Sequence, residues 1–197
     1  MSIRAAQTPD LGPLARLWWQ GWRDAHLPLV PKALANRRTL DSFIVRMALA
    51  LPHVRAVGPV GAPLGFHLIK ENELNQLYVE EESRGAGIAA LLMADAEDRL
   101  LEAGVKTPWL ACAIGNTRAA RFYQKAGWVL TRTETIPTEI PGGWYPLKIW
   151  RYEKRLSARP WTWLEIEQLG PRLSPAEPGG QAEDRRAHLF RAPRTIM

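Results

Sequence analysis

Between residues 77 and 104 the sequence passes from a strand pattern to a long helix through a turn that ends in the small residues Gly85-Ala86-Gly87. Leu77-Tyr78-Val79 reads as the end of a strand, and Glu80-Glu81-Glu82-Ser83-Arg84-Gly85-Ala86-Gly87-Ile88-Ala89 follows it. From about Gly87 to Ala103, Ile88, Leu92, Ala96 and Leu100 recur at helical spacing, and Gly104 supplies the stop. Small residues at 85, 86, 87 and 89 let a ligand come close to the backbone. The unpaired N–H groups of the helix's first turn, with the helix dipole, favour an anion there, and Arg84 adds positive charge. The plain alternative is a tight turn that only connects two elements. The turn is neither a dinucleotide fingerprint nor a P-loop, because G-x-G-x-x-G and Gly-Lys-Ser/Thr are both absent. Three consecutive glutamates beside an anion site are expected to point to solvent.

Around this unit, strand and helix candidates alternate. Ser2–Ala6 reads as a short strand, and Thr8 or Asp10 can cap a helix to about Asp24 that carries Leu11, Leu14, Ala15, Trp18 and Trp22. Residues 40–51 form a second helical pattern, and strand candidates follow at 53–57, 63–69 and 73–79. After the long helix come an apolar strand at 107–113, a short helix at 117–126 closed by Gly127, and strands at 128–135 and 145–154. A loop holding Pro137, Pro141, Gly142 and Gly143 is expected between the last two. This order argues an α/β or α+β sheet with helices on both faces. Residues 1–156 are expected to be one domain, and residues 157–197 a partly disordered tail. That tail holds Pro160, Pro171, Pro175, Pro178 and Pro193, and Trp161, Trp163 and Leu164 are candidates for docking on the domain.

Charge narrows the partners less than it first suggests. The 197 residues carry a formal charge of +6, and 20 of the 26 basic residues are arginine. Residues 1–156 hold 20 basic and 15 acidic side chains, so the excess sits almost wholly in the expected domain. A basic balance admits nucleic acid, an anionic membrane or an anionic cofactor. There is no recognition helix and no aromatic–basic array, so nucleic acid is not expected as a partner. No stretch reaches the roughly 18 apolar residues of a membrane span. The N-terminal residues lack the apolar core of a signal peptide, which makes the cytoplasm the expected location.

A second motif lies about 30 residues on: Asn116-Thr117-Arg118-Ala119-Ala120-Arg121-Phe122-Tyr123-Gln124-Lys125-Ala126-Gly127-Trp128. Asn116 is placed to cap the short helix, and Phe122 to pack in the core. Tyr123 sits one residue round, with Ala119 and Ala120 leaving room before it, and as a residue alone reads equally as a packing tyrosine. Together, Arg84-x-x-Gly87-x-Ala89 after Leu77-Tyr78-Val79 and N-x-x-A-x-x-F-Y-x-x-x-G-W at this separation resemble the GNAT superfamily of N-acyltransferases. Proline, usual in that family two residues after the valine, is replaced by Glu81. The resemblance covers residues 3 to about 155 in element order. It implies a central mixed, mostly antiparallel twisted sheet of about seven strands with helices on both faces.

It further implies an N-acetyltransferase that moves an acetyl group directly from acetyl-CoA, as co-substrate and without a metal, to a primary amine of a small molecule or peptide. The CoA site would comprise Leu77, Tyr78, Val79, Arg84, Gly85, Ala86, Gly87, Ile88, Ala89, Asn116 and Tyr123. Tyr123 would give a proton to the departing thiolate, and amides around Leu77–Val79 would polarise the thioester carbonyl. An amine of pKa about 10.4 is only about 0.04% neutral at pH 7, so a general base helps. Some relatives use a carboxylate on this strand, which makes Glu73 the candidate, against the plain reading of an exposed glutamate at a strand start. Strict alternation would put Glu73 with Asn75, Leu77 and Val79, and Leu74, Gln76 and Tyr78 on the other face. His26, Asp24 and Glu139 are weaker candidates for touching the acceptor. Protein N-terminal or lysine acylation, a non-catalytic acyl-CoA-binding module and a homodimer all stay compatible with the resemblance. Cys112, inside an apolar strand without an evident base, is expected to be a buried structural thiol. His26, His53, His67 and His188 have no metal-ligand spacing.

Overall fold

The chain's computed structural model describes residues 2–157; the expected tail, with Trp161, Trp163 and Leu164, lies outside the described residues beyond Ser157. Seven strands form one sheet: β1 (Ile3–Ala5), β2 (Val54–Val57), β3 (Gly65–Lys70), β4 (Glu73–Val79), β5 (Trp109–Ala113), β6 (Val129–Ile140) and β7 (Gly143–Glu153). Their spatial order is β1-β2-β3-β4-β5-β7-β6, and β4–β5 is the parallel pair in an otherwise antiparallel sheet. Helices α1 (Leu11–His26), α2 (Lys32–Ala35), α3 (Leu40–Ala50), α4 (Ile88–Glu102) and α5 (Thr117–Lys125) complete the domain. The expected mixed, mostly antiparallel sheet with helices on both faces is what the chain forms.

Two apolar layers hold the helices to the sheet. On one face, Leu14, Trp18 and Trp22 of α1 and Phe43 and Met47 of α3 pack on Ala56, Phe66 and Leu68. On the other, Leu92, Met93 and Ala96 of α4 and Ala120 of α5 meet Val57, Leu74, Leu110 and Tyr152. Burying such side chains yields about 1.5–3 kcal/mol each, the dominant favourable term for a fold of this kind. Asp10, expected as a helix cap, makes no cap hydrogen bond to α1 but closes a capping box with Gln7 on the short turn Thr8–Asp10 that precedes it, and it does more than cap. Its buried carboxylate accepts from both terminal nitrogens of Arg4 (2.7 and 3.0 Å) and from the amides of Gln7 and Gly61 (2.8 Å each), tying β1 to the β2–β3 connection. Burial works to raise that carboxyl, but these hydrogen bonds outweigh it and hold the group below the usual carboxylate range.

Two elements depart from the sequence pattern. Residues 137–143, expected as loop, continue the strands as a long β6–β7 hairpin with a Pro141-Gly142 turn, Gly142 at φ +81°. Pro137 pairs opposite Pro146. Neither disturbs the sheet, because β6 is an edge strand and β5 pairs with β7 only from Ile149 to Glu153. In β4, alternation breaks. Leu68 pairs with Gln76 but Ile69 pairs with Leu74, so Asn75 is an extra, bulged residue. Leu74 and Leu77 therefore both face the α4 side, while Gln76 and Tyr78 face α1, and Glu73 turns toward the same side as Tyr78 rather than toward Leu77 and Val79.

Candidate functional site

β4 and β5 start side by side and then separate. Glu73 and Trp109 are the one registered pair between them, although β4 runs on to Val79 and β5 to Ala113. Beyond that pair the facing edges carry backbone N–H and C=O groups that no strand satisfies, an arrangement that an extended ligand can complete. A cleft of about 640 Å³ fills the opening. Its walls come from the end of α1, β4, the turn before α4, β5, α5 and the β6–β7 hairpin.

Of the residues singled out in the sequence, Glu73, Leu77, Tyr78, Val79, Arg84, Gly85, Ala89, Asn116 and Tyr123 all line this cleft. Ala86, Gly87 and Ile88 do not. Ile88 is buried against Val57 and Leu92 and anchors the helix instead. Gly85 and Gly87 have φ +84° and +79°, backbone that a side chain would strain, so the turn depends on glycine at both positions. Gly87 is the N-cap of α4 and no side chain caps that helix, leaving its first amides for another acceptor. Glu80, Glu81 and Glu82 are exposed, as expected beside an anion site.

Arg84 is not alone there. Its guanidinium donates to Asp24 at 2.8 Å, and Arg118, at the start of α5, donates to the same carboxylate oxygen at 2.6 Å. The hydrogen bond from Arg118, with the charge of both arginines, holds the Asp24 carboxyl below its ordinary range. Asp24 is thus committed to two cations. Arg118 was invisible as a site residue in the sequence, since nothing local distinguishes it from Arg121.

Deeper in, Asn116 spends its side-chain oxygen on the amide of Ala119 (3.1 Å), capping α5. Tyr123 packs against Phe122 and Tyr152 with ring centroids 5.7 Å away in each case. Burial pushes its hydroxyl well above the ordinary tyrosine range, so it stays protonated at any working pH. Cys112 is buried and its thiol is pushed up to about 12, which leaves it inert as a nucleophile.

Glu73 has an unexpected support. Trp18 Nε1 donates to Gln76 Oε1 (3.0 Å), Gln76 Nε2 to Asn75 Oδ1 (3.1 Å), and Asn75 Nδ2 to Glu73 Oε2 (2.9 Å). This chain of amides runs from the α1 core to the carboxylate and fixes its orientation through the bulge. Burial raises the Glu73 carboxyl above its usual value, against the opposing pull of Asn75 and Lys70. His26 stacks on Trp22 (5.5 Å, 12°) with Nδ1 3.1 Å from the Trp22 carbonyl, and burial pulls it down to about 4. It is neutral near pH 7. Glu139 lies 3.8 Å from Arg46 and 4.0 Å from Lys70. Among the described residues, no group of three or more His, Cys, Asp or Glu is arranged to hold a metal ion, and no helix is long and apolar enough to cross a membrane.

The family model of the acetyltransferase (GNAT) family matches residues 14–128, from α1 to the start of β6. The chain belongs to the GNAT acetyltransferase family. Acyl transfer is the activity that membership brings. A comparison with curated sequences finds no match. Among solved structures, the GNAT fold recurs in a GCN5-related N-acetyltransferase from Rhodopseudomonas palustris, at 19% identity and TM-score 0.61, over 79% of this chain and 95% of that one. PaiA N-acetyltransferase from Thermoplasma acidophilum, in complex with coenzyme A, matches at 18% and 0.56 over 79% and 98%. Ribosomal-protein-alanine N-acetyltransferase from Brucella melitensis matches at 20% and 0.54 over 79% and 100%. At such identities these likenesses speak for the fold.

Proposed function

We propose that this GNAT domain transfers an acetyl group directly from acetyl-CoA to a primary amine. The observation that carries the reading is the opening between β4 and β5, with Tyr123 on one wall and Glu73 at its closed end. A coenzyme A complex of the similarly folded PaiA protein supports CoA as the donor.

Each group then has a task. The free amides of β4 near Leu77–Val79 would bind an extended amide-bearing chain and polarise the thioester carbonyl. The turn at Gly85–Gly87, the first amides of α4, Arg84 and Arg118 would receive pyrophosphate, so Asp24 would exchange partners or share them. Glu73, as carboxylate, would take the proton that an ammonium must lose, directly or through water. The amine nitrogen forms the new C–N bond as the C–S bond breaks. Tyr123 would hydrogen-bond the departing sulfur, hand it a proton and regain one from solvent, while Glu73, having passed the first amine proton to solvent, takes the second, for a net release of one proton. Cys112 takes no part, since the acyl group passes directly to the amine.

The direct test is a thiol-release assay on the purified protein with acetyl-CoA and a broad amine panel. Amine-dependent release is the expected result. Tight CoA binding without turnover on any amine would instead favour an acyl-CoA-binding module.

A further inference from the structure

The end of the cleft away from Arg84 and Arg118 holds two arginines that are not satisfied. Arg38, at the approach to α3, is only 5% exposed and lines the cleft, yet its Nε and Nη1 donate to nothing among the described residues. Its guanidinium lies over Trp22 (5.7 Å) and Phe43 (5.9 Å), aromatic faces that offset part of the charge but accept no N–H bond of ordinary strength. Arg46 of α3 sits over Trp18 at 4.4 Å, and its Nε is likewise without a hydrogen-bond partner. Thr138 of β6, on the same cleft, has a buried hydroxyl with none either. Of the five buried orphan side-chain atoms among the described residues, four therefore cluster here; the fifth, Nδ1 of His67, lies on a different face of the sheet.

Such groups are expensive. An unpaired buried N–H costs desolvation without return, and two neighbouring guanidiniums repel. Burial pulls Arg38 down to about 10, with Arg46 adding to the shift, which still leaves it charged at neutral pH. The acidic groups nearby do not balance this end. Glu139 is 3.8 Å from Arg46 and divided with Lys70, beyond hydrogen-bond range of either. Glu73 is engaged by Asn75. A second cationic group on the acceptor would face Arg38 and Arg46 with little to hold it.

Building on the acetyl-transfer reading, we propose that the acceptor is a primary amine that also carries a carboxylate, and that Arg38 and Arg46, with the Thr138 hydroxyl, receive that carboxylate. The apolar lining at this end, Trp22, Leu34, Ile136 and Leu147, would hold the carbon skeleton between the two polar groups. The guanidinium fork suits a carboxylate through paired N–H bonds.

The test compares amines that differ only in the carboxylate: phenylalanine with phenethylamine, methionine with its decarboxylated amine, and γ-aminobutyrate with propylamine. The proposal expects kcat/KM to favour the carboxylated members by about 10–100-fold, the range for a charge-assisted pair. Arg46→Gln should bring the ratio close to one, and Arg46→Lys should keep part of it. Arg38→Gln should act likewise if its melting curve shows it folded; if it does not fold, the Arg46 pair decides. A calorimetric titration with N-acetylphenylalanine against N-acetylphenethylamine, CoA present, gives a readout free of turnover. Equal handling of both members in turnover and in titration overturns the proposal and leaves acetyl transfer standing. Preference for aminoethylphosphonate over β-alanine overturns the carboxylate class. Absence of turnover with every amine defeats the acetyl-transfer reading instead, and the titration then still decides carboxylate recognition.

Discussion

The two ends of the cleft are made of different materials. At the glycine-turn end, the proposed donor end, the exposed surface is backbone: the open edge of β4, the glycine turn and the uncapped first turn of α4. Its charges are already partnered, Arg84 and Arg118 on Asp24. At the other end, side chains from two distant segments converge, Arg38 and Arg46 before and on α3 and Thr138 on the hairpin, and each has a buried polar atom without a hydrogen-bond partner. A backbone-built surface changes little with sequence and fits a ligand that never varies. A side-chain-built surface can be altered one residue at a time, which suits the part of the reaction that differs between relatives.

Substitutions should separate these ends or damage both together. The largest effect is the shared one. Asp10→Ala leaves Arg4 and the amides of Gln7 and Gly61 without their acceptor. It should cost about 3 kcal/mol of stability in denaturant titration, the low end for breaking a buried pair, because Arg4 keeps some contact with water. Both ends should lose function in proportion to the unfolded fraction. Next, Tyr123→Phe should lower kcat about 100-fold while CoA affinity moves little, as a proton donor to the leaving sulfur requires. Equal losses in both would reduce Tyr123 to packing. Glu73→Gln should cost about 10-fold or more at neutral pH and abolish the acid limb of the pH–rate profile. In the wild type, activity should fall as pH drops through a value above the usual carboxylate range, because burial raises the Glu73 carboxyl and only its ionised form accepts a proton. A limb near pH 6.5 that survives Glu73→Gln would point to a histidine. His26, held neutral down to about 4, is not expected to supply one.

The glycine-turn end was legible in the sequence as a structural unit because its parts are local. A strand, a small-residue turn and a helix lie in one continuous stretch, and their spacing alone puts amides where an anion can reach them. Asn116 and Tyr123 share one short helix for the same reason. The acceptor end had no such signal. Arg38 and Arg46 lie 100 and 92 residues before Thr138, and they meet only because α3 and the hairpin cross the same face. The length of the hairpin was hidden by Pro137, Pro141, Gly142 and Gly143, which read as loop; Pro137 sits in a strand here only because the outer edge of β6 is unpaired. The bulge at Asn75 was hidden by a sequence that alternates acceptably in either register, although Leu74 and Leu77, both apolar and three apart, could have signalled it.

Reading two binding constants on two variants tests most directly whether the cleft has a donor end and an acceptor end. The measurement is CoA affinity by calorimetry and amine KM by thiol release, for Arg84→Ala and Arg46→Gln side by side. Arg84→Ala should bind CoA about 10-fold more weakly, with a smaller dependence on salt, and Arg46→Gln should show a raised KM for a carboxylated amine. The other constant should move little in each case. Parallel shifts of both constants in both variants would contradict a cleft with separate donor and acceptor ends.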